Sequence, residues 1–300
     1  MKRARRQVTG KSRRTAGEVG RRVRTLGEFV TSIDEITTAW CWQRNEQFGP
    51  WFRGHADAGW TLVPTIFRGS PVADYEDDYR HDFKLKAYPY LAGTGREPTN
   101  EWEWYFLMQH YGLPTRLLDW TEGALQALYF ALREASPSRD AAVWMTDPWQ
   151  VNEVVGQSSS SVFIATSEEL KPYLWPPYAD PDLPERPMAL QPVLNSVRIT
   201  AQRGVFTIHG KNARPLEAYP ELTRIAKLIV DGDSVADMLD ELSIAGVSET
   251  TVFPELAGLC RQLLFDWRPG SRAAEADGSG RPAPAARPSL GPPRDLASSL

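Results

Sequence analysis

Cysteine is scarce. Only Cys41 and Cys260 occur in 300 residues, far apart and without partners at metal-ligand spacing, which suits a reducing compartment better than a disulfide scaffold. Both are read as small core hydrophobes, with a pairing between them left open. No stretch of about eighteen apolar residues occurs, so nothing is expected to span a membrane, and the basic start lacks the apolar core of a secretory signal. The expected location is the cytoplasm. The familiar catalytic templates are missing as well: there is no GxSxG elbow, no GxxxxGK[ST] phosphate loop, no GxGxxG after a strand and no HExxH. Histidine is limited to four, none with a second His, Cys or carboxylate at i+2 to i+4 in a ligand pattern, so no metal site is expected. No internal repeat is present, and no linker is clear enough to divide the chain.

Apolar and aromatic residues are plentiful, at 42% and 11% of the chain, enough to bury a sizeable core. The net charge of −4 is unevenly spread. Residues 1–24 hold ten Lys/Arg against one acid, residues 268–300 hold five Arg against three acids, and residues 25–267 are left with −15. An acidic body opposes nucleic-acid binding, which rests on phosphate neutralisation, so a nucleic-acid partner is not expected through it. The basic head 1–24 has almost no apolar residues and the tail 268–300 is rich in Pro, Ala, Gly and Ser, so both read as disordered. The folded part is expected at 25–267, with a long irregular Pro-rich run at 171–187.

Within that span, Asn100 and Glu103 form a capping-box pattern that opens a helix, "EWEWYFLMQHYG", stopped by Gly112 and Pro114. Asp119 and Glu122 read as a second start, for "WTEGALQALYFALRE", whose Leu125, Leu128, Ala131 and Leu132 share a face. On this reading "GLPTRLLD" is a link between two helices. Strands are expected at 141–145, 161–165, 204–210 and 223–230, and helices in "DSVADMLDELSIAG" and from Pro254 through "PELAGLCRQLLFDW". Strands and helices mix without regular alternation, which favours a single α+β domain over a doubly wound sheet.

Candidate site residues are polar groups in apolar company. "QHYGLPTRLLDWT" holds Gln109, His110, Thr115, Arg116 and Asp119 among Tyr111, Leu113, Leu117, Leu118 and Trp120. An unpaired buried polar group costs roughly 1–3 kcal/mol, so these must pair with each other or with a ligand. Asp119 can cap its helix and pair with Arg116 or Arg53. Arg53, in "WFRGH", is either a buried ion-pair member or a fork for phosphate or carboxylate. His55 and His209 also stand in ordered apolar segments, where a histidine serves as a hydrogen-bonded core residue or a catalyst. The second "FRG", at 67–69, is read as a chance repeat.

The blocks "WFRGH…W.LVPTIFR", "EWEWYFLMQHYGLPTRLLDWTEGALQALYFAL", "AVWMTDP", "RITAQRGVFTIHG" and "LSIAGVSETTVFPELAGLC" resemble the FRG domain, named for its aromatic-Arg-Gly motif, over about residues 26–267. That resemblance implies a bacterial or phage protein of largely unassigned activity, sometimes associated with defence or toxin-like systems. A narrower likeness is to the ADP-ribosyltransferases of the arginine–serine–glutamate type. It implies Arg53 on the phosphates of NAD, Thr115 or Thr207 for the Ser/Thr element and Glu255 for the glutamate, although "PTRLLDWT" has no counterpart there.

Three readings follow. The first is an enzyme acting on NAD or another nucleotide, by ADP-ribosyl transfer or NAD cleavage. It uses Arg53 with Gln109, Thr115, Arg116, Thr207 and His209 for binding, His55 or His110 on ribose hydroxyls, and Glu255 or Asp119 for developing positive charge. The second is a non-catalytic domain recognising a small phosphate ligand or a protein. The third is a nuclease or nucleic-acid sensor.

Overall fold

The computed structural model describes residues 19–42, 49–69, 75–91, 97–136, 138–156, 161–174, 183–192 and 197–267. The tail 268–300 and all of the basic head before Val19 lie outside the described residues, as does much of the Pro-rich run 171–187. Among the described residues no helix is long and apolar enough to cross a membrane.

Eight strands form one mixed sheet: β1 (Val19–Val23), β2 (Trp51–His55), β3 (Leu117–Thr121), β4 (Ala141–Thr146), β5 (Phe163–Ile164), β6 (Met188–Gln191), β7 (Gly204–Ile208) and β8 (Ile225–Val230). Their order is β1-β8-β4-β2-β3-β7-β6-β5. The outer pairs β1/β8 and β5/β6 run parallel, and every pairing between them is antiparallel. Nine helices accompany the sheet among the described residues: α1 (Leu26–Ala39), α2 (Glu76–Leu91), α3 (Glu101–His110), α4 (Ala124–Arg133), α5 (Pro148–Gln150), α6 (Val197–Gln202), α7 (Val235–Ile244), α8 (Glu249–Val252) and α9 (Leu256–Asp266). The architecture is α+β in one mixed body, as the irregular order of segments predicts.

One face of β8-β4-β2 is covered by α1, α4 and α7. Phe29, Ile36, Leu128, Leu132, Met238 and Leu242 pack there on Val143, Met145, Leu228 and Val230. Each such leucine, fully buried, contributes about 1.5–3 kcal/mol relative to exposure. On the opposite face, Leu62, Val151, Val155, Leu216 and Leu222 cover Trp51, Leu118, Trp120 and Trp144. Helix α3 sets Tyr105, Phe106 and Met108 against Leu117, Phe206 and Ile208, completing the core beyond β3.

Helix α3 obeys its local signals. Asn100 Oδ1 accepts the Glu103 N–H at 3.0 Å, while Glu103 Oε2 reaches back to the Thr99 N–H at 2.6 Å instead of to Asn100. At the other end Gly112 takes φ +86° and Leu113 N–H closes on Met108 O at 3.0 Å, the glycine-terminated end that only a residue without Cβ adopts without strain.

Four expectations are corrected. Asp119 caps no helix: it lies mid-strand in β3, and α4 begins at Ala124 after Gly123. The segment "LLDWT" is extended because its Leu118 and Trp120 enter the core on one face and Leu117 on the other, a period-two pattern too short to separate from a helix start. Val19–Val23, placed in the disordered head, pairs in parallel with β8, and Arg22 and Arg24 bind Asp231 beside it. The sheet also gains β6, just beyond the run read as irregular to residue 187, where no strand was expected. Cys41 and Cys260 are free and exposed, not core residues; Cys41 follows α1 at φ 55°, and Cys260 lies on the outer side of α9.

Candidate functional site

The sheet is split near its centre. Strand β2 pairs with β4 along its whole length, from Trp51↔Thr146 to His55↔Ala142. Its other edge keeps a single pair with β3, Phe52↔Thr121, after which the two strands part. A separated strand edge exposes backbone groups that must be satisfied some other way. Arg53 does this: its guanidinium Nη1–H donates to the Asp119 carbonyl across the gap.

Above this split lies an open cleft of about 390 Å³. Arg53, His55 and Asp119 line its floor, Gln109 and His110 enter from the end of α3, and Phe106, Phe130 and Phe206 supply apolar walls. Trp60, half exposed, stands edge-on to His55 with ring centroids 5.9 Å apart. The loop carrying it is tied down on several sides: Lys227 Nζ donates to Ala58 O, Glu217 accepts the Leu62 N–H, and Arg139 pairs with Asp57 at 2.8 Å.

The polar groups form a directed chain. Thr115 accepts the Leu117 N–H at 3.1 Å and donates its own hydroxyl to Gln109 Oε1. That sets the amide, so Gln109 Nε2–H donates to Asp119 Oδ2 at 2.9 Å. The same carboxylate oxygen stands 3.6 Å from Arg53 Nη1. Arg53 Nε–H donates to His55 Nε2 at 3.1 Å, so His55 is a neutral acceptor with its proton on Nδ1. Burial, then the charges of Arg53 and Arg68, push the His55 pKa down to about 3. Burial also lowers Arg53, against an opposing pull from Asp119; an arginine nevertheless stays charged at neutral pH.

His209 is likewise held neutral, pushed down to about 3 chiefly by burial. A histidine depressed in the fold protonates first in the unfolded chain, so its stability contribution is complete above pH 6.5 and is lost as pH falls toward 3. Each ring should cost about 2 kcal/mol of unfolding free energy between pH 7.5 and pH 5. Urea denaturation at those two values measures it. An unchanged midpoint would show that both rings take up the proton in the fold as readily as in the unfolded chain.

Five of the residues singled out from sequence therefore meet in the cleft: Arg53, His55, Gln109, His110 and Asp119. Thr115 is wholly buried behind Gln109. The remaining four stand elsewhere. Arg116 is 1% exposed and belongs to a closed network: Nε–H donates to Glu76 Oε2 at 2.6 Å, and its terminal nitrogens donate to the carbonyls of His209 and Tyr173. Asp119 thus pairs with Arg53 and not with Arg116, because Arg116 turns inward to a carboxylate from α2. Thr207 is buried in β7 beside β3, accepting the Trp120 Nε1–H at 3.1 Å. His209 is enclosed with its ring centroid 6.4 Å from that of Phe67. Glu255 is exposed at the start of α9, outside the cleft lining.

Sequence reasoning passed over Arg68, which lines the same cleft. Its signal was the repeated "FRG", set aside as chance. The 3-10 turn Thr65–Phe67 swings the second arginine back toward the first, and Arg68 Nε–H donates to Val63 O at 2.7 Å to hold it there. Arg133, Glu134 and Gln202 complete the rim. Among the described residues no group of three His, Cys, Asp or Glu is placed to hold a metal ion. What the arrangement offers is cationic forks, a fixed carboxylate and aromatic faces, a set suited to an anion carrying a ring.

Residues 49–140 match the family model of the FRG domain. No curated protein and no solved structure matches the chain. The matched span is shorter than the 26–267 over which the resemblance was read, yet it holds β2, β3, α3 and α4, and with them both edges of the split. Residues 49–140 thus carry an FRG domain, which supplies most of the cleft lining, while Ile199, Gln202, Gly204 and Phe206 come from beyond the match.

Proposed function

We propose that this protein is an enzyme of nucleotide chemistry whose cleft binds NAD or a related nucleotide and cleaves or transfers its ribosyl group. The observation that carries the reading is the pairing of Arg53, a guanidinium on the floor of an aromatic-walled cleft, with Asp119, a carboxylate locked in place by Gln109. The guanidinium matches phosphate oxygens, and the rings match a base or nicotinamide. His55 acts as a positioning residue, since its Nε2 accepts the Arg53 Nε–H and so orients the fork. His110, exposed at the end of α3 and lining the cleft, takes the ribose hydroxyls on this reading.

Asp119 supplies the chemistry. As the glycosidic C1′–N bond breaks, its electron pair leaves with nicotinamide, and the ribose gains positive charge. A fixed carboxylate stabilises that charge, as in glycoside cleavage, and takes the proton released when water or another acceptor adds at C1′. The FRG resemblance sets such an enzyme in a bacterial defence or toxin-like setting, where the acceptor could also be a protein.

The test is NAD consumption by the full chain, followed chromatographically. Asp119→Asn should lower kcat by about 100-fold or more while leaving NAD binding nearly unchanged. Arg53→Ala should weaken binding about 10- to 100-fold. Saturable binding without product would instead identify a recognition domain. Neither turnover nor binding of any nucleotide would sink both.

A further inference from the structure

Arg53 and Arg68 reach the cleft from different elements. Arg53 rises from the floor on β2, and Arg68 comes from the rim, beyond the 3-10 turn. Arg68 is anchored by Nε to the Val63 carbonyl, and no ion pair between it and a carboxylate occurs among the described residues. Asp119 attracts both guanidiniums, and the two lie close enough for each arginine's charge to disfavour the other's neighbour His55 from protonating. Two cations thus face one carboxylate, because His55 is neutral and Arg133 and Glu134 offset each other at 3.8 Å. The floor carries one surplus positive charge divided between two forks at different heights. A single phosphate engaged by Arg53 leaves the second fork unused.

We infer that Arg53 and Arg68 form a two-point clamp that selects ligands with two linked phosphates over monophosphates, Arg53 taking the inner phosphate and Arg68 the outer. This rests on the nucleotide reading of the cleft and narrows it to nucleoside diphosphates and dinucleotides. Trp60, beside His55 at the same mouth, gives the attached ring a face to lie against.

Titration calorimetry of the full chain with ADP and AMP tests the clamp. ADP should bind at least tenfold more tightly than AMP, since the second fork adds a charge-assisted, bidentate contact. Arg68→Ala should erase that preference while leaving AMP affinity within about twofold of the parent, and Arg68 is exposed, so the fold survives the change. Equal affinities for ADP and AMP in the parent protein would overturn the clamp and leave nucleotide binding standing. So would an Arg68→Ala variant that weakens both ligands alike. Failure of either nucleotide to bind would overturn the nucleotide reading itself.

Discussion

Replacing Arg116 by alanine should remove about 3–5 kcal/mol of stability, the cost of leaving a buried charge without its partner. Arg116 and Glu76 are each 1% exposed, so neither can turn to water when the other is lost. Glu76 begins α2, Tyr105 of α3 donates its hydroxyl to the same carboxylate and accepts the Arg116 N–H at 2.8 Å, and the guanidinium also binds the His209 and Tyr173 carbonyls. Burial alone would make Arg116 easier to deprotonate, but Glu76 more than offsets this, and the guanidinium holds its proton more tightly than a free arginine does. Removing it leaves the buried Glu76 carboxylate without its counter-charge and takes the guanidinium N–H groups from the His209 and Tyr173 carbonyls, while the Tyr105 hydroxyl still donates to Glu76. For a domain with a total of about 5–15 kcal/mol the expected loss is a large share, and the melting midpoint should fall by about 10 °C. Chemical denaturation measures it; a loss below about 1 kcal/mol would show that water or a neighbour replaces the guanidinium. Replacing both Glu76 and Arg116 by methionine should cost clearly less than the two single changes added together.

Gly54→Ala should be of similar size, more than about 3 kcal/mol, and for a steric reason. A Cβ on Gly54 would lie 2.1 Å from the Ala127 carbonyl oxygen and 2.5 Å from the Ala131 nitrogen. Both are backbone atoms of α4, so no rotamer change relieves the contact. The helix would have to lift from β2, withdrawing Leu128 and Leu132 from the core. Because alternate residues of a strand face opposite ways, the motif divides its work: Gly54 admits α4 on one face while Arg53 reaches the split from the other. Arg53→Ala should therefore leave a folded protein whose nucleotide binding is weakened, whereas Gly54→Ala should lose the fold. Circular dichroism of the two variants separates the roles, and a native-like melt for Gly54→Ala would contradict the close approach.

Much of the local structure was legible because its causes are local. Asn100 and Gly112 bracket α3 through bonds to residues three to five positions away, and the apolar spacing of 124–133 marks α4 whatever lies opposite it. The concentration of polar residues in "QHYGLPTRLLDWT" likewise marked the site's neighbourhood. Its members then went different ways for reasons no spacing reveals. Gln109 and Asp119 face the cleft, while Arg116, three residues before Asp119, meets Glu76 forty residues upstream. Arg68 was misjudged because its neighbours in sequence say nothing of the turn that brings it beside Arg53.

The sequence by itself determined the α+β class, helices α3, α4, α7 and α9, strands β4, β7 and β8, and the acidic body, and it singled out the aromatic-Arg-Gly and "QHYGLPTRLLDWT" segments as the candidate site. These follow from composition, periodicity and caps, which act within a few residues. Only the tertiary structure decided that Asp119 lies in a strand, that β2 and β3 part after one pair, and that two arginines fifteen residues apart share one cleft while a third is sealed in the core. Those outcomes depend on which segments pack across the sheet, and a polar side chain's partner is fixed by that packing and not by its position along the chain.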